Sequence, residues 1–174
     1  MSSISIRLLK DDDRDYKLLE KWYQEKEVYS SFEQRKLSYK EIKEKYYLRT
    51  LNNSKVPTYM IEFNNKSIGI IQYKLVTEED KELYNLTENN IYEIDIFIGE
   101  LKEHNKGIGS KAISILADKL QKENHAELLV MCPLKNNIKA INCYKKCGFH
   151  IERYFDTKDT IGVLQTYALM IKSV

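Results

Sequence analysis

Apolar residues recur along this chain with two periods, two and about 3.6, and each change of period marks a new element. From Ser3 to Leu9 the alternation predicts a first strand, halted by Asp11-Asp12-Asp13, whose side chains suit a helix start. Tyr16, Leu18, Leu19, Trp22 and Tyr23 then return at helical spacing. Ser38-Tyr39-Lys40-Glu41 has the capping-box pattern, in which hydroxyl and carboxylate satisfy free amides, so a second helix should run to about Arg49. Two β-prone runs, Thr58 to Phe63 and Ser67 to Tyr73, flank Asn64-Asn65-Lys66 and predict a hairpin. The pattern then lapses into a polar loop until Ile91.

From Ile91 to Ile98 strict alternation predicts a strand with Glu93 and Asp95 on one face. A glycine turn leads into a helix carrying Ala112, Ile113, Ile115, Leu116, Ala117 and Leu120. Leu128 to Met131 reads as a short buried strand and Asn137 to Lys146 as a helix. Another strand begins at Gly148, and a last one lies around Thr166 to Ile171. No repeat or low-complexity linker interrupts the sequence, so residues 1–174 are expected to form one domain. Strands, then two strand–helix units, then strands again predict an α+β fold: a single mixed sheet with helices on its faces.

Composition narrows the function. No apolar run approaches the roughly 20 residues of a membrane span, and the amino terminus alternates like a strand instead of resembling a signal peptide. A cytoplasmic protein is expected. A formal charge of +2 gives no basic footprint for nucleic acid. Cys132, Cys143 and Cys147 lack metal-ligand spacing, and His104, His125 and His150 are scattered, so free thiols and no metal are expected. Local charge is more telling: between Glu78 and Glu103 nine acids face only Lys81 and Lys102. Such a stretch is a solvated face or a surface suited to a polycation, and both readings stand.

Lys106-Gly107-Ile108-Gly109-Ser110 lies between the alternating strand and the amphipathic helix. Glycines let backbone approach an anion closely, and free amides at a helix start point at it, so a diphosphate suits this turn. A nucleotide P-loop would need Gly-Lys-Ser/Thr, and a dinucleotide fingerprint a third glycine. Neither is present. About thirty residues later comes Asn137-Ile138-Lys139-Ala140-Ile141-Asn142-Cys143-Tyr144-Lys145-Lys146-Cys147-Gly148-Phe149. With His104-Asn105-Lys106-Gly107-Ile108-Gly109, this pattern resembles the GNAT acetyltransferases, although His104 stands where they usually have Gln or Arg.

The resemblance implies a mostly antiparallel sheet with two splayed parallel central strands, here Ile91 to Ile98 and Leu128 to Met131, and helices on both faces. It implies acetyl-CoA as co-substrate, its pantetheine arm on the backbone of Ile96, Phe97 and Ile98. The diphosphate would sit on the amides of Lys106, Gly107, Ile108, Gly109 and Ser110, with Asn137 capping its helix and touching the cofactor. Asp95-Ile96-Phe97-Ile98-Gly99-Glu100, Lys21-Trp22, Ile68-Gly69 with Gln72, and the closing Tyr167 and Leu169-Met170 resemble more narrowly the aminoglycoside 6′-N-acetyltransferases. They are especially similar to the acetyltransferase half of the bifunctional acetyltransferase–phosphotransferase enzymes.

That branch implies Asp95 as the carboxylate that deprotonates or holds the amine, and Tyr144 as the acid that protonates the leaving thiolate. Trp22, Tyr92, Glu93 and Asp95 are the expected acceptor-site residues, beside the Glu78–Glu88 loop. The expected partner is a small polycationic amine, and the protein a monomer or homodimer. Two alternatives remain: acetylation of another amine, such as a polyamine or a protein amino terminus, and a non-catalytic acyl-CoA sensor.

Overall fold

The helix starts foreseen in the sequence form for the reasons given. In the computed structural model, which describes residues 3–174, the carboxylate of Asp12 accepts the amide of Asp15 and opens helix α1, Asp13–Trp22. Ser38 and Glu41 complete a reciprocal capping box at the head of α3, Tyr39–Tyr47, with the short α2, Lys26–Tyr29, between. Strand β1, Ile4–Leu8, precedes them. Met1 and Ser2, part of the amino-terminal reading, lie outside the described residues. Asn64 and Asn65 take left-handed φ values of 49° and 60°, the two-residue turn that suits strand twist, and join β2, Thr58–Phe63, to β3, Lys66–Leu75.

The expected loop before Ile91 contains a further helix, α4, Glu78–Tyr84. Thr77 caps it by accepting the Asp80 amide, and Asn85 closes it in the left-handed conformation. Only Tyr84 among its residues is buried, so no apolar stripe betrayed it. Strand β4, Ile91–Ile98, a 3₁₀ turn at Leu101–Glu103, helix α5, Ile108–Asn124, and strand β5, Leu128–Met131, follow. Helix α6, Ile138–Lys146, and strands β6, His150–Lys158, and β7, Leu164–Ser173, complete the chain. Among the described residues no helix is long and apolar enough to cross a membrane.

The seven strands form one sheet in the order β1-β2-β3-β4-β5-β7-β6, antiparallel except for β4 with β5. This is the mixed sheet with a parallel central pair that the sequence implied. Ile94 and Ile96 of β4 pack on the face covered by the Ile108, Ala112, Leu116 stripe of α5. Phe97 points to the opposite face, where Tyr16, Leu19, Trp22, Tyr23, Ile42 and Tyr46 of α1 and α3 form a second core. Buried Asp15 locks α1 to β1 through two 2.7 Å bonds from the Arg7 guanidinium, which also donates to Glu62 of β2 at 2.9 Å.

The parallel pair is brief. Register holds only at Ile91/Leu128, Tyr92/Leu129 and Glu93/Val130. Strand β5 ends at Met131, two residues before Pro133, which lacks an amide to extend a ladder. Beyond Glu93, β4 continues to Ile98 without a strand on that side. A wedge-shaped gap opens there.

Candidate active site

The free edge of β4 follows from hydrogen-bond parity. The Val76 amide bonds the Ile91 carbonyl at 2.9 Å, and the Gly99 amide bonds Ile68 at 2.8 Å, with unbroken register between. Antiparallel ladders alternate, so residues 91, 93, 95, 97 and 99 spend their peptide groups on β3. Ile96 and Ile98 direct theirs into the gap. Phe97, expected to hold the pantetheine arm by its backbone, instead pairs with Ile70, and its ring lies in the α1–α3 core. The expectation fails for Phe97, and Ile96 and Ile98 are left as the residues whose peptide groups face the gap.

At the mouth of the gap Gly107 opens α5 with φ +76°, a conformation that L side chains rarely adopt. The amides of Ile108, Gly109 and Ser110 have no acceptor among the described residues, whereas Lys111 already bonds Gly107 at 3.1 Å. Three free donors at a helix start, beside a strand edge with open peptide groups, fit an elongated ligand with a diphosphate at one end. The residues therefore suit acetyl-CoA. The Lys106 side chain is held by Glu103 at 2.8 Å. Asn137 caps α6 by accepting the Ala140 amide at 3.1 Å, and its amide nitrogen lies 3.5 Å from the Ser31 hydroxyl. Phe32 meets Phe97 edge-on at 5.0 Å, so the segment after α2 spans from β4 to α6 across the gap.

His104 sits within this loop. Its Nε2 lies 2.7 Å from the Ile98 carbonyl, and its Nδ1 lies 2.9 Å from Nζ of Lys139.

On the α1–α3 face Thr58, Gln72 and Asp95 stand in register across β2, β3 and β4. Gln72 donates to Asp95 Oδ2 at 3.1 Å, while its own oxygen accepts from Arg49 at 2.5 Å and from Thr58 at 3.3 Å. The Arg49 guanidinium lies over the Tyr46 ring at 4.7 Å. One oxygen of Asp95 is thus fixed, and the other has no partner among the described residues.

Glu93 shares that face but is only 7% exposed, accepting from Tyr84 at 3.0 Å and pairing with Lys74 at 3.3 Å. Burial, then the charge of Asp95, pushes its carboxyl up to about 7, against the pull of Lys74 and Tyr84. Glu93 is a buried neighbour of Asp95, with little surface left for a ligand. Helix α4 does reach the site, through Tyr84, but its Asp80 faces Lys74 at 3.5 Å.

Tyr144 is half-buried against the α5 core, and its hydroxyl has no partner among the described residues. Burial first, then the charges of Cys143 and Asp95, raise its pKa well above the ordinary phenol, so it keeps its proton at neutral pH.

Two expected acceptor walls do not face the acceptor. Trp22 is 0% exposed, with its indole N–H on Glu100 at 2.9 Å and its ring against Phe97. A Cβ at Gly99 would overlap that ring, so the glycine makes room for it. Tyr92, one residue from Glu93, points to the other side of the sheet and meets Tyr73 edge-on at 5.8 Å. The sequence reading missed Arg49, Lys74, Tyr84 and Lys139 as parts of the site. It noted Gln72 without a role.

Comparison with known proteins agrees with this geometry. Residues 11–157 match the family model described as an acetyltransferase (GNAT) domain. Aminoglycoside N(6′)-acetyltransferase type 1 from Klebsiella pneumoniae is 24% identical over 160 residues, covering 90% of this chain and 79% of the relative. The protein of that name from Serratia marcescens matches to the same extent. Aminoglycoside acetyltransferase AAC(6′)-Ib in complex with coenzyme A and kanamycin superposes with a TM-score of 0.80 at 20% identity, covering 98% of this chain and 95% of that one. The same enzyme with paromomycin and acetyl-CoA gives 0.82 at 20% identity, over 98% and 93% of the two chains. These neighbours share the fold, and the family match extends over most of the sequence. The chain belongs to the GNAT acetyltransferase domain family, whose acetyl donor is acetyl-CoA.

Proposed function

We propose that this chain acetylates the 6′-amine of an aminoglycoside. The observation that carries the reading is Asp95: a carboxylate with one oxygen fixed by Gln72 and one free, near the gap where β4 leaves β5. The relatives named for this activity, and the related enzyme bound to kanamycin, support the acceptor class.

Acetyl-CoA supplies an electrophilic thioester carbon. Ile96 presents its main-chain amide and carbonyl, and Ile98 its amide, to the arm that carries it, and the α5 amides hold the diphosphate. Asp95 draws in the acceptor ammonium by charge and takes its proton as the amine attacks. Tyr144 donates a hydrogen bond to the departing sulfur. Phenols ordinarily titrate near 10 and thiols near 8.5, so the phenol keeps its proton and the bond stabilises the leaving thiolate. The thiol is completed by a proton from solvent, which receives the one Asp95 took from the amine. Ser31 and Phe32, bridging toward α6 and Phe97, shield the acceptor side from water.

One observation favours a second reading. The Arg49 guanidinium reaches Gln72, the side chain that holds Asp95. A cation on this face suits an acceptor with a single amine better than a polycation. Thiol release from acetyl-CoA, measured with kanamycin, tobramycin, gentamicin, a 6′-hydroxyl analogue, spermidine and a peptide panel, separates the two. Turnover that requires the 6′-amine is expected. Turnover on peptide alone would replace the aminoglycoside reading with a single-amine acceptor, turnover on spermidine alone with a different polycation, and coenzyme binding without turnover on any amine would make the chain a sensor.

A further inference from the structure

His104 occupies the position where the family pattern has Gln or Arg, and its partners define its chemical state. The Ile98 carbonyl can only accept, so Nε2 carries the proton. The Lys139 ammonium can only donate, so Nδ1 is bare and the ring is neutral. An ammonium on an imidazole nitrogen is an unusual resting place. Among the described residues Lys139 has no carboxylate within ion-pair distance, whereas Lys106, in the same loop, is neutralised by Glu103.

Lys139 is carried on α6, the helix that packs against the first turn of α5. It lies one turn before Cys143 on α6, and the Cys143 thiol is 3.4 Å from the Ser110 hydroxyl. The Lys139 charge is among those that Cys143 feels. An uncompensated cation is therefore held on the loop that leads into the three free amides of Ile108, Gly109 and Ser110, by a helix that touches their first turn.

We infer that Lys139 is a ligand of the coenzyme's diphosphate, and that neutral His104 holds it in readiness while tying the end of β4 to α6. On binding, Lys139 exchanges a bond to imidazole for a charge-assisted bond to phosphate, and His104 keeps its bond to Ile98. This role of Lys139 depends on the family's use of the coenzyme and not on the identity of the acceptor. His104 is a positioning residue; Lys139 makes the contact.

Calorimetry on the intact chain tests this with three probes: coenzyme A, dephospho-coenzyme A and pantetheine. Lys139 is exposed, so Lys139→Met should fold normally. It should weaken coenzyme A and dephospho-coenzyme A alike by about tenfold, one charge-assisted contact, and leave pantetheine binding unchanged. An unchanged affinity for coenzyme A overturns the inference. So does a loss confined to coenzyme A, which would assign Lys139 to the 3′-phosphate, or an equal loss on pantetheine, which would make the effect structural. His104→Gln, able to donate to Ile98 and accept from Lys139, should retain affinity, and His104→Leu should not. In the nitrogen NMR spectrum, coenzyme A should move the His104 Nδ1 resonance toward its position in free Lys139→Met. A resonance that ignores the coenzyme would refute the hand-off.

Discussion

Replacing Gln72 with Leu tests whether the polar row across β2, β3 and β4 serves catalysis. The change keeps the approximate volume of a side chain that is 5% exposed and removes both its donor and its acceptor. Three bonds are lost: to Asp95 at 3.1 Å, from Arg49 at 2.5 Å and from Thr58 at 3.3 Å. Thr58 retains the Val56 carbonyl at 3.1 Å and suffers little. The bond to Asp95 involves a charged group and contributes about 1.5–3 kcal/mol. Without it both carboxylate oxygens rotate freely, and Arg49 can move onto Asp95 and compete with the acceptor amine.

If that contribution is spent on aligning Asp95, kcat falls roughly ten- to a hundredfold, since about 1.4 kcal/mol is a factor of ten. The KM for acetyl-CoA should not change, because the Gln72 side chain bonds Asp95, Arg49 and Thr58, away from the free edge of β4 and the head of α5. Steady-state thiol release, varying each substrate in turn, gives both constants. Thr58→Val is the control: it removes a bond to the same Gln72 oxygen without touching Asp95, and should stay within twofold of the parent. A Gln72→Leu enzyme with normal kcat would show that Asp95 needs no alignment. A matched fall in Thr58→Val would show that the row acts only through strand packing.

Other substitutions probe separate parts of the molecule. Gly107→Val forces a β-branched residue into a φ of +76° at a cost of roughly 1–3 kcal/mol, and should weaken coenzyme A about tenfold or more by calorimetry. Tyr144→Phe should slow thiol release about a hundredfold with unchanged coenzyme affinity; an unaltered rate would return Tyr144 to the core. Asp15→Ala strands part of the Arg7 charge and should lower stability by about 3 kcal/mol at pH 7, the low end for a broken buried pair because Glu62 remains. Burial opposes ionisation of Asp15, yet Arg7 prevails and holds the carboxyl below its ordinary value, so this stability is present above about pH 4 and fades as pH falls through the folded value. Urea melts of both proteins should converge in acid. Glu93 has the opposite sign: its raised carboxyl binds a proton in the folded state first, so stability should decline between about pH 4.5 and 7, and Glu93→Gln should flatten that slope.

What the sequence disclosed divides along physical lines. Capping at Ser38 and Glu41, the Asn64-Asn65 turn, the α5 stripe and the acidic face of β4 rest on local chemistry, and each appears where its residues predicted. Helix α4 stayed hidden because its stability comes from caps and from one tyrosine meeting Glu93. Trp22 and Tyr92 were misjudged for different reasons. An aromatic at helical spacing gives no sign of whether a pocket or a neighbouring helix covers it, and only Gly99 across the sheet decides the matter for Trp22. For Tyr92 the signal was present: it is one residue from Glu93, and period two sends it to the other face. Gln72 was legible in the same way. A lone amide within Ile70-Ile71-Gln72-Tyr73 is as disfavoured in an apolar run as Asp95 in its own strand, and the register places the two side by side. Polar intrusions in adjacent strands are thus informative as a pair: each costs the sheet something alone, and together they satisfy one another where chemistry needs a fixed carboxylate. Lys139 and His104, 35 residues apart, carry no such mark, because their meeting depends on how α6 docks beside the gap that β5 leaves open.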